Sequence, residues 1–193
     1  MDRTLIRWAG ASRARRGGGV PVLWLFTDPA RLANPLAAAA RLPPGLAGVV
    51  LRADGSGDRT ALGRRLAALC RRRRLALVVA GDGRLAAALG AGVHLRRGRW
   101  PDAVRPGRGL ISASAHDGAE LRRAVRAGAD LVFLSPFAPT ASHPGARALG
   151  PCRWTALARS VRVPVLGLGG VNGQTARSLP GCCAGAGAIG ALA

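Results

Sequence analysis

Apolar runs of strand length recur along the chain, at residues 22–28, 48–52, 75–79, 93–95, 110–114, 131–136, 163–171 and 187–191. Most are apolar throughout rather than alternating, the pattern of strands buried on both faces of a parallel sheet. Helical periodicity fills the gaps. Residues 35–42 give a short helical piece, and 84–89 another. Leu62, Leu66 and Leu69 share one face of a longer helix, with arginines opposite. Asp117 followed by Glu120 predicts a capping box at the start of a helix that ends at Gly128. Between 96 and 108 two prolines and the lack of a 3.6 period predict that the fourth helix is reduced or lost. The last strand leaves no residues for a final helix.

Strands alternating with helices predict an α/β fold, and eight such units fit a compact (β/α)8 TIM-like barrel over residues 21–193. An open doubly wound sheet fits the length less well. Residues 1–20 form an N-terminal extension. With Ile6 and Trp8 it either plugs the barrel bottom or replaces part of the missing last helix.

Composition changes this picture little. The 193 residues carry a formal net charge of +20, which ordinarily suggests a polyanion as partner. Every basic residue is arginine, none is lysine, and the arginines spread over most helices without interleaved aromatics. A coding bias explains that pattern, so no specific nucleic acid is expected. Cys70, Cys152, Cys182 and Cys183 show no CxxC spacing, which predicts reduced thiols rather than a zinc site. The paired arginines before residue 26 look like an export signal only until Asp28 cuts the apolar part short. No run is long enough to span a membrane. A cytoplasmic protein is expected, with a homodimer as the assembly to consider.

In a barrel the chemistry sits on loops that follow the strands, so polar residues there are the candidates. They are Asp28, Arg52, Asp54, Asp82, His94, Ser114, His116, Ser135, Thr140, Ser142 and His143. Arg52 closes an apolar run, where a lone cation needs an anion: a substrate phosphate, or else Asp28 or Asp54. His116 follows a serine-bearing strand end and suits proton transfer near neutral pH, though it equally suits a helix start. His94 lies inside a strand, which favours a structural role. Thr140, Ser142 and His143 supply donors for a phosphate on a long loop after strand six, and Gly167, Gly169 and Gly170 end strand seven. Glu120 is the only glutamate, and no pair of acids has a spacing suited to a metal or to glycosidase chemistry. No G-x-S-x-G elbow and no dinucleotide fingerprint are present.

On these residues the chain resembles the thiamine-phosphate synthase and thiazole tautomerase family. The loop from Ser135 to Gly145 looks like the family's Gly-Pro-x-Phe-x-Thr-x-Thr-Lys loop. Leu166-Gly167-Leu168-Gly169-Gly170-Val171 matches its Ile-Gly-Gly-Ile segment, Ser112 to His116 its Gly-x-Ser-x-His strand end, and Gly92-Val93-His94-Leu95 its Gly-Val-His-Leu strand. The resemblance implies that Thr140, Ser142, Gly169 and Gly170 hold the phosphate of a thiazole phosphate, with Ser114, Pro139 and His143 beside them. Departures matter as much. The synthase's glutamine and lysine near Arg52 are Val50 and Asp54, its Asn-Asp metal segment falls on Ala80-Gly81-Asp82, and a second acid is replaced by Arg96-Arg97-Gly98-Arg99.

Because the family's acids are thinned out, the expectation is metal-independent proton transfer on a phosphorylated thiazole, tautomerase-like, with His116 as acid/base and Arg52 assisting. No cofactor is expected on that reading. The alternative is synthase coupling of thiazole phosphate with a pyrimidine pyrophosphate, in which Mg²⁺ enters and Asp82 is the ligand to consider. A further alternative is a catalytically silent barrel that binds a phosphate ligand.

Overall fold

The computed structural model describes residues 1–16, 19–52, 58–103, 109–140 and 147–193. Eight parallel strands close into a barrel in chain order: β1 Leu23–Phe26, β2 Ala47–Leu51, β3 Ala76–Ala80, β4 Gly92–Leu95, β5 Ile111–Ala115, β6 Leu131–Leu134, β7 Val165–Gly167 and β8 Ala186–Ala188. Helix α1 spans Arg3–Arg16, α2 Pro35–Ala40, α3 Arg59–Arg73, α4 Gly83–Leu89, α5 Gly118–Arg126 and α6 Gly150–Arg159. Each strand buries both faces, one into the barrel and one under the helices, as continuous apolar runs require. The open-sheet alternative is excluded, since β8 pairs with β1 through Leu23–Ala186, Trp24–Gly187 and Leu25–Ala188.

The barrel interior is filled from β1. Trp24 and Phe26 point inward and meet Phe133 edge to face, at centroid distances of 5.7 and 4.8 Å. Glycines on the flanking strands make the room: a Cβ at Gly48 would lie 2.5 Å from the Trp24 ring, and one at Gly187 2.7 Å from Phe26. Trp24 donates its Nε1 to Pro21 O at the lower end. The barrel bottom is thus closed by a barrel residue. Helix α1 instead lies against the segment Thr175–Ser178, burying Leu5 and Ala9. The Asp2 amide donates to Ala191 O, and the Asp2 carboxylate accepts from Gly173. That position beside the last two strands is the one a final helix would cover.

Helix starts follow from side-chain caps. Asn34, Asp58, Asp82 and Asp117 each accept from the third amide of α2, α3, α4 and α5 in turn. Leu66 is fully buried on α3, and Leu62 and Leu69 pack against the core beside it. No helix stands among the described residues between β4 and β5. A tight turn bridged by Arg96 and Arg99 takes its place, lies with Gly98 directly on α5 and sends Trp100 Nε1 to Ala127 O. Helix α6 carries no side-chain cap, and β7 and β8 are followed by 3₁₀ turns, Thr175–Ser178 and Gly190–Leu192. The four thiols are free. No helix among the described residues is long and apolar enough to cross a membrane.

Candidate functional site

A cavity of about 940 Å³ opens at the end of the barrel where the strands finish, with Phe26 and His94 at its floor. Two different walls face each other across it. One comes from the loops after β6 and β7. Phe137 N donates to Leu168 O at 2.8 Å and Ala138 N to Gly169 O at 3.1 Å, so these two loops run as one backbone-bonded unit. Gly169 and Gly170 have φ of +81° and +68°. A Cβ at Gly170 would lie 2.5 Å from Pro139 O, and one at Gly169 2.9 Å from Pro136 Cα. The glycine pair therefore serves close loop packing as well as a left-handed backbone. Thr175 Oγ1 donates to Gly170 O, and Asn172 Oδ1 accepts from the amides of Gln174 and Thr175, which fixes the rest of the turn.

The opposite wall is cationic. Arg52 leaves β2, Arg96 and Arg97 leave β4, and Arg31 follows β1; all four line the cavity. Arg52 pairs with no carboxylate among the described residues, and Asp28 accepts from Ala30 N instead. Asp54 lies outside the described residues. His94 is 2 % exposed, and its Nδ1 is 2.9 Å from Ser112 Oγ. Burial, and then the positive charges of Arg52 and Arg96, push this imidazole down to about 3, so it stays neutral at physiological pH. His94 is a structural group with one edge on the cavity floor.

His116 stands at the rim between the two walls. Its backbone amide and its Nδ1 both meet Glu120 Oε2, at 3.0 and 2.9 Å, and Glu120 Oε1 lies 3.5 Å from Arg97 Nε. The expected capping box is shifted by one residue. Asp117 caps the helix, but Glu120 reaches back past it to His116. Arg97 N donates to Ser114 Oγ, which ties the β4 and β5 loops together.

Of the expected site residues, Arg52, Ser114, His116, Pro139, Thr140, Gly169 and Gly170 line this one cavity. Ser142 and His143 lie outside the described residues. Arg31, Phe26, Asn172 and Thr175 also line it. Their only sequence signal was position just before or after a strand end, which many residues share.

Asp82 is not among the lining residues. Its Oδ1 caps α4, and its Oδ2 lies 3.7 Å from Arg59 NH1. The chain has nine acids, and all but Asp54 are described. Each described acid accepts from a backbone amide: Asp2 from Thr4, Asp28 from Ala30, Asp58 from Ala61, Asp82 from Leu85, Asp102 from Gly83, Asp117 from Glu120, Glu120 from His116 and Asp130 from Ile111. None lines the cavity, and no cluster of three possible ligands occurs among the described residues. Mg²⁺ seeks oxygen ligands, carboxylates above all, and this donor set does not fit it.

The description of thiamine monophosphate synthase fits residues 23–190 of the chain. The chain belongs to that family. It is 37% identical over 174 residues to the thiamine-phosphate synthase of Thiobacillus denitrificans, covering 84% of this chain and 80% of that protein. It is 33% identical to that of Herpetosiphon aurantiacus, over 83% of this chain and 82% of the other. A solved thiamine phosphate pyrophosphorylase from Pyrococcus furiosus superposes with a TM-score of 0.75 at 25% identity, covering 87% and 85% of the two chains. Membership in the synthase family places the chain in thiamine biosynthesis. These relatives carry the synthase name, and the tautomerase expectation gains no support from them.

Proposed function

We propose that the chain is a thiamine-phosphate synthase: it couples a thiazole phosphate to a pyrimidine diphosphate and releases pyrophosphate. This reverses the order of preference that the thinned acids suggested. The observation that carries it is the two-walled cavity. A single-substrate isomerisation needs one anion site, whereas coupling two phosphorylated substrates needs two. The β6–β7 wall offers the Gly169 and Gly170 turn with Thr140 for the thiazole phosphate. Arg52, Arg96, Arg97 and Arg31 face it and would take the diphosphate.

The chemistry asked of these residues is positioning and charge neutralisation. The thiazole nitrogen forms a bond to the pyrimidine methylene carbon as the carbon–oxygen bond to the diphosphate breaks, and the leaving group carries away the electron pair. Arginines placed on that group stabilise the charge that develops as it departs. Holding both rings over the Phe26 and His94 floor turns a bimolecular encounter into a local one.

A second reading keeps the isomerase chemistry, on the strength of the Glu120–His116 pair, which orients an imidazole at the rim. Both are tested by complementation of a bacterial strain that lacks its own synthase. Growth without thiamine is expected from this chain, and failure from Arg52→Ala. Soluble expression without rescue would contradict the synthase reading.

A further inference from the structure

We propose that this cavity neutralises its diphosphate with guanidinium groups alone and binds it without a divalent cation. The inference rests on the two-anion reading above and assigns the counter-charge. The family likeness puts metal-binding acids at the ends of β3 and β4, and arginine chemistry has taken both places. At β3, Asp82 is committed twice, to the α4 cap and to Arg59, while Arg59 NH2 also donates to Ala80 O. At β4, the chain continues as Arg96-Arg97-Gly98-Arg99.

The placement of these side chains favours an anion between them. A Cβ at Gly81 would lie 3.1 Å from Arg96 Nε, so the absent side chain leaves the Arg96 guanidinium room over the end of β3. Arg52 and Arg96 line the same cavity as the buried His94 ring. Arg97 has its amide on Ser114 Oγ and its Nε 3.5 Å from Glu120. No carboxylate lies among the described lining residues. Guanidinium stays charged at any working pH, and its fork matches two phosphate oxygens at once. A cation brought in by the diphosphate would meet like charge and, among the described lining residues, no carboxylate.

The test is calorimetric titration with inorganic pyrophosphate at about 0.15 M salt, once in EDTA and once in excess Mg²⁺. Binding is expected in EDTA, and Mg²⁺ is expected to leave it unchanged or weaken it by sequestering the ligand. Arg52→Ala and Arg96→Ala should each lower affinity by about tenfold to a hundredfold, the range for a charge-assisted bond. Arg64→Ala removes an exposed α3 charge and should leave affinity unchanged. Binding that appears only with Mg²⁺ would overturn the proposal, as would an equal loss with Arg64→Ala, which would reduce the effect to net charge. The two levels fail separately. Coupling of both substrates only with Mg²⁺ sinks the metal-free site and keeps the synthase. Pyrophosphate bound in EDTA with no coupling under any condition keeps the site and sinks the synthase.

Discussion

Glu120 holds His116 at two points with one oxygen: Oε2 accepts from the His116 amide at 3.0 Å and meets Nδ1 at 2.9 Å. The ring is thereby set with Nε2 facing away from Glu120, at the rim of a cavity whose other charged residues, among those described, are arginines. Coupling by displacement of pyrophosphate abstracts no proton from carbon, so the pair acts here mainly by orientation. His116→Asn should lower coupling turnover by about tenfold, below the 10²–10⁴ range of a lost general acid or base. Steady-state kinetics decide it. A loss within that larger range would make proton transfer by His116 a step of the reaction.

Gly170 and Gly90 share a left-handed backbone, with φ of +68° and +60°, but differ in what surrounds them. Nothing lies within 4 Å of a Cβ at Gly90, whereas one at Gly170 would press on Pro139 O at 2.5 Å. Gly90→Ala should cost about 1 kcal/mol, the conformational term alone. Gly170→Ala should cost more than that and should also weaken thiazole phosphate binding, because the β6 loop must move. Thermal melts paired with calorimetry test both halves.

His94 gives the fold a pH dependence with a definite sign. Its folded value of about 3 lies below the ordinary value of 6.5, so between those limits the unfolded chain binds the extra proton. Stability from this group is complete above about pH 6.5 and falls as pH drops through the window, by up to about 1.4 kcal/mol per unit. His94→Gln should flatten that slope in urea titrations between pH 6 and pH 4. An unchanged slope would show that other groups set it.

Asp2 ties the N-terminus to the far end of the chain. Its Oδ1 accepts from Thr4 and Leu5 at the start of α1, while Oδ2 accepts from Gly173 after β7. The Leu5 amide, opposed by burial and joined by the Gly173 and Thr4 amides, holds this carboxyl below its usual range. Its contribution is present above the ordinary carboxylate value and fades as pH falls through the folded one. Asp2→Ala should lower stability by about 1 kcal/mol at neutral pH, read from the urea midpoint.

Much of the barrel was legible because a strand buried on both faces is written as an uninterrupted apolar run, and β1, β2, β3 and β6 are such runs. That no helix stands among the described residues between β4 and β5 was legible too, from Pro101 and Pro106. Helix α6 was not: it has no capping side chain, and Gly150 and Pro151 at its start look like loop. The residues after β7 form only a 3₁₀ turn, held by Asn172 and Thr175 in a local pattern that no periodicity announces. Positions after strands pointed to Arg52, His116, Thr140 and the glycine pair, and all of them line the one cavity. The sequence could not tell that Glu120 skips its cap to hold His116, or that Asp82 is spent on α4 and Arg59. Those depend on side-chain geometry across elements.

The central claim is that two phosphorylated substrates meet in one cavity. ³¹P NMR of the protein with thiazole phosphate and the pyrimidine diphosphate follows both anions together. The account predicts that the diphosphate signals give way to free pyrophosphate and a thiamine phosphate monoester in equal amounts, only when both substrates are present. Unchanged diphosphate signals, with the thiazole phosphate alone converted to an isomer, would contradict it.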